Sequence, residues 1–203
     1  MNSTQQPVSA EERALRDEHD GVVVWLTGLS AAGKTTIANA LERELFIQGR
    51  QVYVLDGDKM RQGLCSDLNY SPESRKENIR RAGEVAKLFA DAGVICITAF
   101  ISPYRSDRDL VRAMMPPGGF LEVFINAPLA VCEHRDPKGL YAKARAGIIK
   151  DFTGVSAPYE PPLHPEVELH TDRQDVASCV ATVISELKRR EGQPGLRVKP
   201  VEV

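Results

Sequence analysis

With 203 residues, 42% of them hydrophobic and 27% charged, the chain is sized for one globular domain around one core and leaves little room for a second. Its 26 basic and 28 acidic side chains give a formal net charge of −2, which excludes a nucleic-acid footprint built on bulk positive charge, so any anionic ligand must be held by local groups. No apolar run approaches the ~20 residues of a membrane-spanning helix, and Cys65, Cys96, Cys132 and Cys179 form no C-x-x-C pair, which predicts reduced thiols in a cytoplasmic protein.

Residues 1–20 are polar and mixed in charge, without the apolar core of a secretion signal, and read as a flexible or weakly helical arm. Val22-Val23-Val24-Trp25-Leu26 is an unbroken apolar run, the pattern of a parallel strand buried on both faces. It leads into Gly28-Leu29-Ser30-Ala31-Ala32-Gly33-Lys34-Thr35, which matches the phosphate-loop pattern G-x-x-x-x-G-K-[ST] at every fixed position. Glycine at 28 and 33 lets successive backbone N–H groups converge on phosphate oxygens, and the helix that follows adds its positive dipole end. Lys34 supplies a mobile charge for the β- and γ-phosphates, and the Thr35 hydroxyl can ligate Mg²⁺ carried in with the nucleotide. Ile37, Leu41 and Leu45 give that helix one apolar stripe, with Gly49 placed to end it.

Gln51 to Leu55 reads as a second strand delivering Asp56-Gly57-Asp58 to the edge where α/β sheets bind ligands. A solvated turn would use the same residues. No other strand ends in an acidic Mg²⁺ partner, so Asp56 and Asp58 are the candidates, one acting through the metal's water and one as a base for an incoming hydroxyl. Ile79, Ala82, Ala86 and Phe89 mark a helix between Pro72 and Gly93, and Arg61, Arg75 and Asn78 can gather around a second anion. Val94–Phe100 and Phe120–Ile125 are further strands, and 128–135 a short helix. Residues 136–165 form a basic, Gly- and Pro-rich segment containing Lys138, suited to a lid over phosphates. Val176, Val180, Val183 and Leu187 line a closing helix, and 191–203 read as a flexible tail.

Gly28 through Thr36, Leu55-Asp56-Gly57-Asp58, Glu77-Asn78-Ile79-Arg80-Arg81, Phe100-Ile101-Ser102-Pro103 and Asp136-Pro137-Lys138-Gly139-Leu140-Tyr141 together resemble adenylylsulfate kinase (APS kinase). The likeness runs in order over about residues 20 to 190 and is extended by Phe152-Thr153-Gly154 and Tyr159-Glu160. It implies a P-loop kinase fold, a parallel sheet between helices with a lid, and transfer of the ATP γ-phosphate to the 3′-hydroxyl of adenosine 5′-phosphosulfate. Gly28, Leu29, Ser30, Ala31, Ala32, Gly33, Lys34, Thr35 and Thr36 would hold ATP, with Arg135 against its base. Asp58, Arg61, Arg75, Asn78, Lys138 and the Ile101-Ser102 backbone would contact the acceptor, and Tyr70 and Phe152 would sandwich its adenine. Ser102 stands where the family has a phosphoserine candidate, although direct transfer needs no covalent relay. The family implies Mg²⁺, a homodimer and a functional link to an ATP sulfurylase.

The chain departs from the family pattern at several positions. Lys59 replaces Asn, Asn69-Tyr70 replaces Gly-Phe, Ala31 a loop Gly, Ala142 a Lys, Ile148 a Glu, Asn126 an Asp, and Asp151 a Gly or Asn. A carboxylate at 151 would repel a phosphosulfate unless it points outward. Another small-molecule kinase with a neutral acceptor would not need Arg61, Arg75 and Lys138, and a nucleotide switch would need an N-K-x-D element or a Walker B acid that the chain lacks.

Overall fold

Val22 to Thr27 has no polar side chain before Thr27, and in the computed structural model, which describes residues 7–191, this run is the central strand β1 (Val22–Thr27), buried at every position. Its side chains alternate between two cores. Val22, Val24 and Leu26 face one, and Val23 and Trp25 face the other, which is why the run is continuously apolar rather than alternating. Around it lie β2 (Val52–Asp56), β3 (Ile95–Ala99), β4 (Phe120–Asn126) and β5 (Val167–His170), in the order β2-β3-β1-β4-β5. All of these pairings are parallel.

Helices cover both faces. The first core receives Ile37, Leu41 and Leu45 of α2 (Lys34–Ile47) and Val180, Val183 and Leu187 of α8 (Val176–Glu191). The second receives Ile79, Ala82 and Ala86 of α4 (Pro72–Asp91) and Val111 of α5 (Arg105–Ala113). Three short helices, α3 (Gly57–Gln62), α6 (Leu129–Arg135) and α7 (Leu140–Arg145), sit on the carboxyl side of the sheet or in the segment before β5. This is the α/β sandwich expected from the phosphate-loop strand and helix, with β1 flanked by strands on both sides so that a crevice opens beyond the strand ends.

Four elements differ from the sequence reading. α5 buries Asp107 and Arg108 beside Val111, so its inward face shows no apolar stripe, and α7 and β5 are short; none of the three was anticipated, and the Asp-Gly-Asp turn begins helix α3, with Asp56 as its N-cap accepting from the backbone of Asp58 and Lys59. Within the supposed arm, α1 (Ala10–Asp17) forms, closed by a capping box between Ser9 and Glu12. The joint after it is tied down. Arg50 donates to the Glu18 carbonyl at 2.9 Å, and the backbone N–H of Gln51 donates to the buried His19 ring at 3.0 Å. Most of the supposed tail, 192–203, lies outside the described residues. All four cysteines are free and buried, and burial pushes the Cys96 thiol up to about 12.

A buried ion network fixes the rear of the site. Arg108, 2% exposed, donates from Nε to Glu122 at 2.7 Å and spends its remaining fork on the carbonyls of Ser102 (2.6 Å) and Glu160 (2.8 Å). Arg112 joins Glu122 to Glu166, and Arg190 reaches Glu166 at 3.5 Å. Removing one partner strands a charge that water cannot reach. Glu122→Ala is therefore expected to lower unfolding stability by about 3–5 kcal/mol, measured by urea titration. A loss below ~1 kcal/mol would mean that the Arg108 guanidinium is satisfied without Glu122.

Candidate active site

The phosphate loop is bent by backbone geometry that its residues permit. Gly28 has φ 154°, and a Cβ there would stand 2.5 Å from the Ile125 carbonyl oxygen of β4. Gly33, at φ 107°, is the N-cap of α2, and no side chain caps the helix start, so its first N–H groups are left for a ligand. Ala31 also has positive φ, 58°, which accounts for a glycine being common there and marks a small strain in this chain. Lys34 is buried and folds over its own loop, donating to the carbonyls of Gly28 (2.9 Å) and Leu29 (2.6 Å). Loss of solvent around it lowers its pKa to about 8, although Asp58 and Asp56 pull the other way.

At the end of β2 the Thr35 hydroxyl lies 3.3 Å from Asp56 Oδ2, while Asp56 Oδ1 caps α3. A hydroxyl and a carboxylate oxygen side by side are the hard donors Mg²⁺ prefers. Among the described residues no group of three His, Cys, Asp or Glu could hold a metal, so a cation at these two oxygens would need further oxygen donors from a ligand. Arg135 donates to the Thr171 carbonyl at 2.6 Å and to the Ala32 carbonyl at 3.4 Å, closing the loop's far side.

One cleft of about 1280 Å³ joins this floor to a second, basic wall. Its lining includes Ser30, Ala31, Gly33, Lys34, Thr35, Thr36, Asp56, Asp58 and Arg135, and also Arg61, Tyr70, Arg75, Asn78, Ile101, Ser102, Lys138 and Phe152. Of the predicted residues only Gly28, Leu29 and Ala32 stand behind the surface. Lys138 pairs with Asp58 across the cleft mouth, both largely exposed, and the pairing raises the Lys138 pKa. Arg61 donates to the Asn69 carbonyl at 3.0 Å and lies 4.5 Å over the Tyr70 ring. Asn78 is buried in the wall behind the cleft, and its Oδ1 has no hydrogen-bond partner among the described residues.

Arg75 is the strut of this wall. It donates to the carbonyl of Tyr70 at 2.9 Å, to Thr153 Oγ1 at 2.8 Å and to the carbonyl of Asp151, so it bridges both stretches that carry the aromatic candidates. Burial lowers its pKa. Asp151 has φ 52°, which explains why Gly or Asn suits the position, and it is exposed and absent from the cleft lining. Tyr70 is 66% exposed, whereas Phe152 is 8% exposed and packs edge-on against Tyr141 at 5.0 Å. Ser102, at φ 40° and 2% exposed, accepts from the Trp25 indole at 3.1 Å, so its hydroxyl is engaged in the core.

Several residues of the site were missed from sequence. Thr171, which accepts Arg135 and donates to the Ala32 carbonyl at 2.6 Å, and Gln174 follow β5, and a strand signalled only by Val167 and Leu169 hid them. Tyr159 hydrogen-bonds Thr27 at 3.0 Å, and the Glu160 N–H donates to the Pro103 carbonyl at 2.8 Å, anchoring the end of the supposed lid.

A family model described as Adenylylsulphate kinase matches residues 20–170. The Adenylyl-sulfate kinase of Shewanella amazonensis is 55% identical over 183 residues, 90% of this chain and 92% of that one. The structure of a Mycobacterium tuberculosis APS kinase in complex with AMPPNP and APS is 45% identical, with a TM-score of 0.80 over 84% of this chain and 99% of that one. A hexameric APS kinase from Thiobacillus denitrificans is 33% identical, with a TM-score of 0.65 over 86% of this chain and 30% of that one.

The lowered pKa of Lys34 sets a pH limit on nucleotide binding. Because its free-state pKa lies near 8, the ammonium is present below that pH and lost above it. The dissociation constant of AMPPNP is therefore expected to be flat from pH 6.5 to 7.5 and to rise above pH 8, approaching tenfold per unit. Calorimetry at fixed ionic strength measures it. A constant affinity up to pH 9.5 would contradict the desolvated lysine.

Proposed function

Because the chain belongs to the adenylylsulphate kinase family, we propose that it transfers the γ-phosphate of ATP to the 3′-hydroxyl of adenosine 5′-phosphosulfate, giving 3′-phosphoadenosine 5′-phosphosulfate and ADP. The observation that carries this reading is the single cleft of about 1280 Å³ with a phosphate loop at one end and Arg61, Arg75, Asn78 and Lys138 at the other. It exceeds the ~300–1,000 Å³ of most ligand pockets, as simultaneous occupation by two nucleotides requires.

In this mechanism the loop amides and the α2 N-terminus receive the ATP phosphates, and Lys34 leaves the Gly28 and Leu29 carbonyls for the β- and γ-oxygens. Thr35 and Asp56 are the residues that would hold Mg²⁺, which when bound neutralises charge on the β- and γ-phosphates. Arg135 flanks the ATP base. The exposed Lys138–Asp58 pair contributes little to stability, about 0–1 kcal/mol, so an arriving anion can exchange it at small cost. Lys138 then meets the phosphosulfate with Arg61 and Asn78, and Asp58 is free to accept the proton of the 3′-hydroxyl. The Ile101-Ser102 backbone lines the acceptor end. Tyr70 and Phe152 stack on the acceptor adenine, held at one spacing by Arg75.

Transfer is direct in this account, because the buried Ser102 hydroxyl accepts the Trp25 indole and serves to shape the loop. We read the protein as acting in sulfate activation in the cytoplasm, functionally beside an ATP sulfurylase. We read the active species as a homodimer, and the hexameric Thiobacillus denitrificans relative supports self-association.

The test is incubation with ATP, Mg²⁺ and a panel of acceptors. The expected result is ADP and the 3′-phosphorylated product in equal amounts from adenosine 5′-phosphosulfate, with little turnover of AMP, adenosine or sugars. A preference for a neutral acceptor would overturn the assignment. Lys34→Ala is expected to lose roughly 100-fold or more in kcat, about 3 kcal/mol. For the aromatic clamp Phe152→Leu is the informative variant, since it keeps most of the buried volume while removing the ring. It should raise the acceptor KM about tenfold with the ATP KM nearly constant. Equal effects on both substrates would reduce Phe152 to packing.

A further inference from the structure

The turn that carries Phe152 is fastened to the phosphate loop at two points. Tyr141 of α7, 2% exposed, donates its hydroxyl to the Ser30 carbonyl at 3.0 Å while its ring meets Phe152 edge-on at 5.0 Å. Two residues on, Gly154 lies so near the loop that a Cβ there would stand 3.0 Å from Leu29 Cδ2. The turn itself is closed, with the Phe152 carbonyl accepting from Val155, Ser156 and Ala157. Three consecutive loop carbonyls thus have side-chain donors, Lys34 for Gly28 and Leu29, and Tyr141 for Ser30.

These donors differ in what happens when substrate arrives. Lys34 is a mobile charge that moves to the phosphates, whereas the Tyr141 hydroxyl is neutral, buried and stays. We propose that Tyr141 is a positioning residue that ties the acceptor-stacking turn to the phosphate loop, so that ATP and the acceptor favour each other's binding. The inference rests on the two-substrate reading of the cleft. A nucleotide seated on the loop fixes the Ser30 carbonyl, and through Tyr141 it holds Phe152 against the acceptor adenine. By linkage the acceptor does the same for the nucleotide.

The experiment is calorimetric titration of AMPPNP with and without saturating adenosine 5′-phosphosulfate, for the natural protein and for Tyr141→Phe, which keeps the ring and removes only the hydroxyl. The natural protein is expected to bind AMPPNP at least about fivefold tighter with the acceptor present, and Tyr141→Phe to bring that factor to about two or less. In the variant, kcat with both substrates saturating falls about tenfold while its melting temperature stays within a few degrees. Absent coupling in the natural protein, or full coupling in Tyr141→Phe, overturns the proposal. If Tyr141→Phe folds poorly, Leu29→Ala, which thins the second contact, decides with the same expected loss of coupling. Failure of the functional reading would look different, since the natural protein would then neither bind the acceptor nor form product.

Discussion

The site depends on backbone donors at the start of α2 that no side chain among the described residues caps. Their direction is set by where β1 ends, and β1 is held in place by two cores at once, so the loop cannot drift without disturbing both. The close approach of Gly28 to β4 completes the constraint, since its Cβ position already overlaps the Ile125 carbonyl. An anion placed there meets backbone dipoles that are already oriented, which stabilises phosphate in a chain with a net negative charge without a standing excess of basic side chains.

The basic wall of the cleft is built on the opposite plan. Its charged groups all have protein partners in the free state: Arg61 on carbonyls and the Tyr70 ring, Arg75 across two segments, Lys138 on Asp58. Their roles separate by burial. Arg75 is half-buried and spans Tyr70 and Thr153, which makes it a fixed strut, whereas Lys138 and Asp58 meet in water and exchange partners readily. Asn78 lies between these limits, with a buried oxygen that no group among the described residues satisfies. Behind them Arg108 joins the Ser102 and Glu160 carbonyls, tying the loop after β3 to the end of the long basic segment.

Much of this was legible in the sequence where a physical requirement falls on one residue type. A glycine at positive φ, a lysine after it, a doubly buried strand before it and the stripe Ile37, Leu41, Leu45 admit few other readings, and all are found in place. The elements that stayed hidden have partners far along the chain. β5 shows only Val167 and Leu169, because its register with β4 supplies the rest, and missing it concealed Thr171. α7 lies in a segment read as hinge-rich, although Tyr141 is among the most buried large side chains of the protein. Trp25 and Phe152 illustrate the same limit from inside the site. Their apolar character was plain, but that one holds the Ser102 hydroxyl and the other leans on Tyr141 is a property of the packing.

If one cleft holds both substrates and the acceptor attacks ATP directly, the phosphorus must be approached in line from the side opposite its leaving group. The most direct measurement uses ATP made chiral at the γ-phosphate with oxygen isotopes, followed by configurational analysis of the 3′-phosphate in the product. Direct transfer gives inversion. Retention would require a second transfer through an enzyme-bound phosphate and would contradict it.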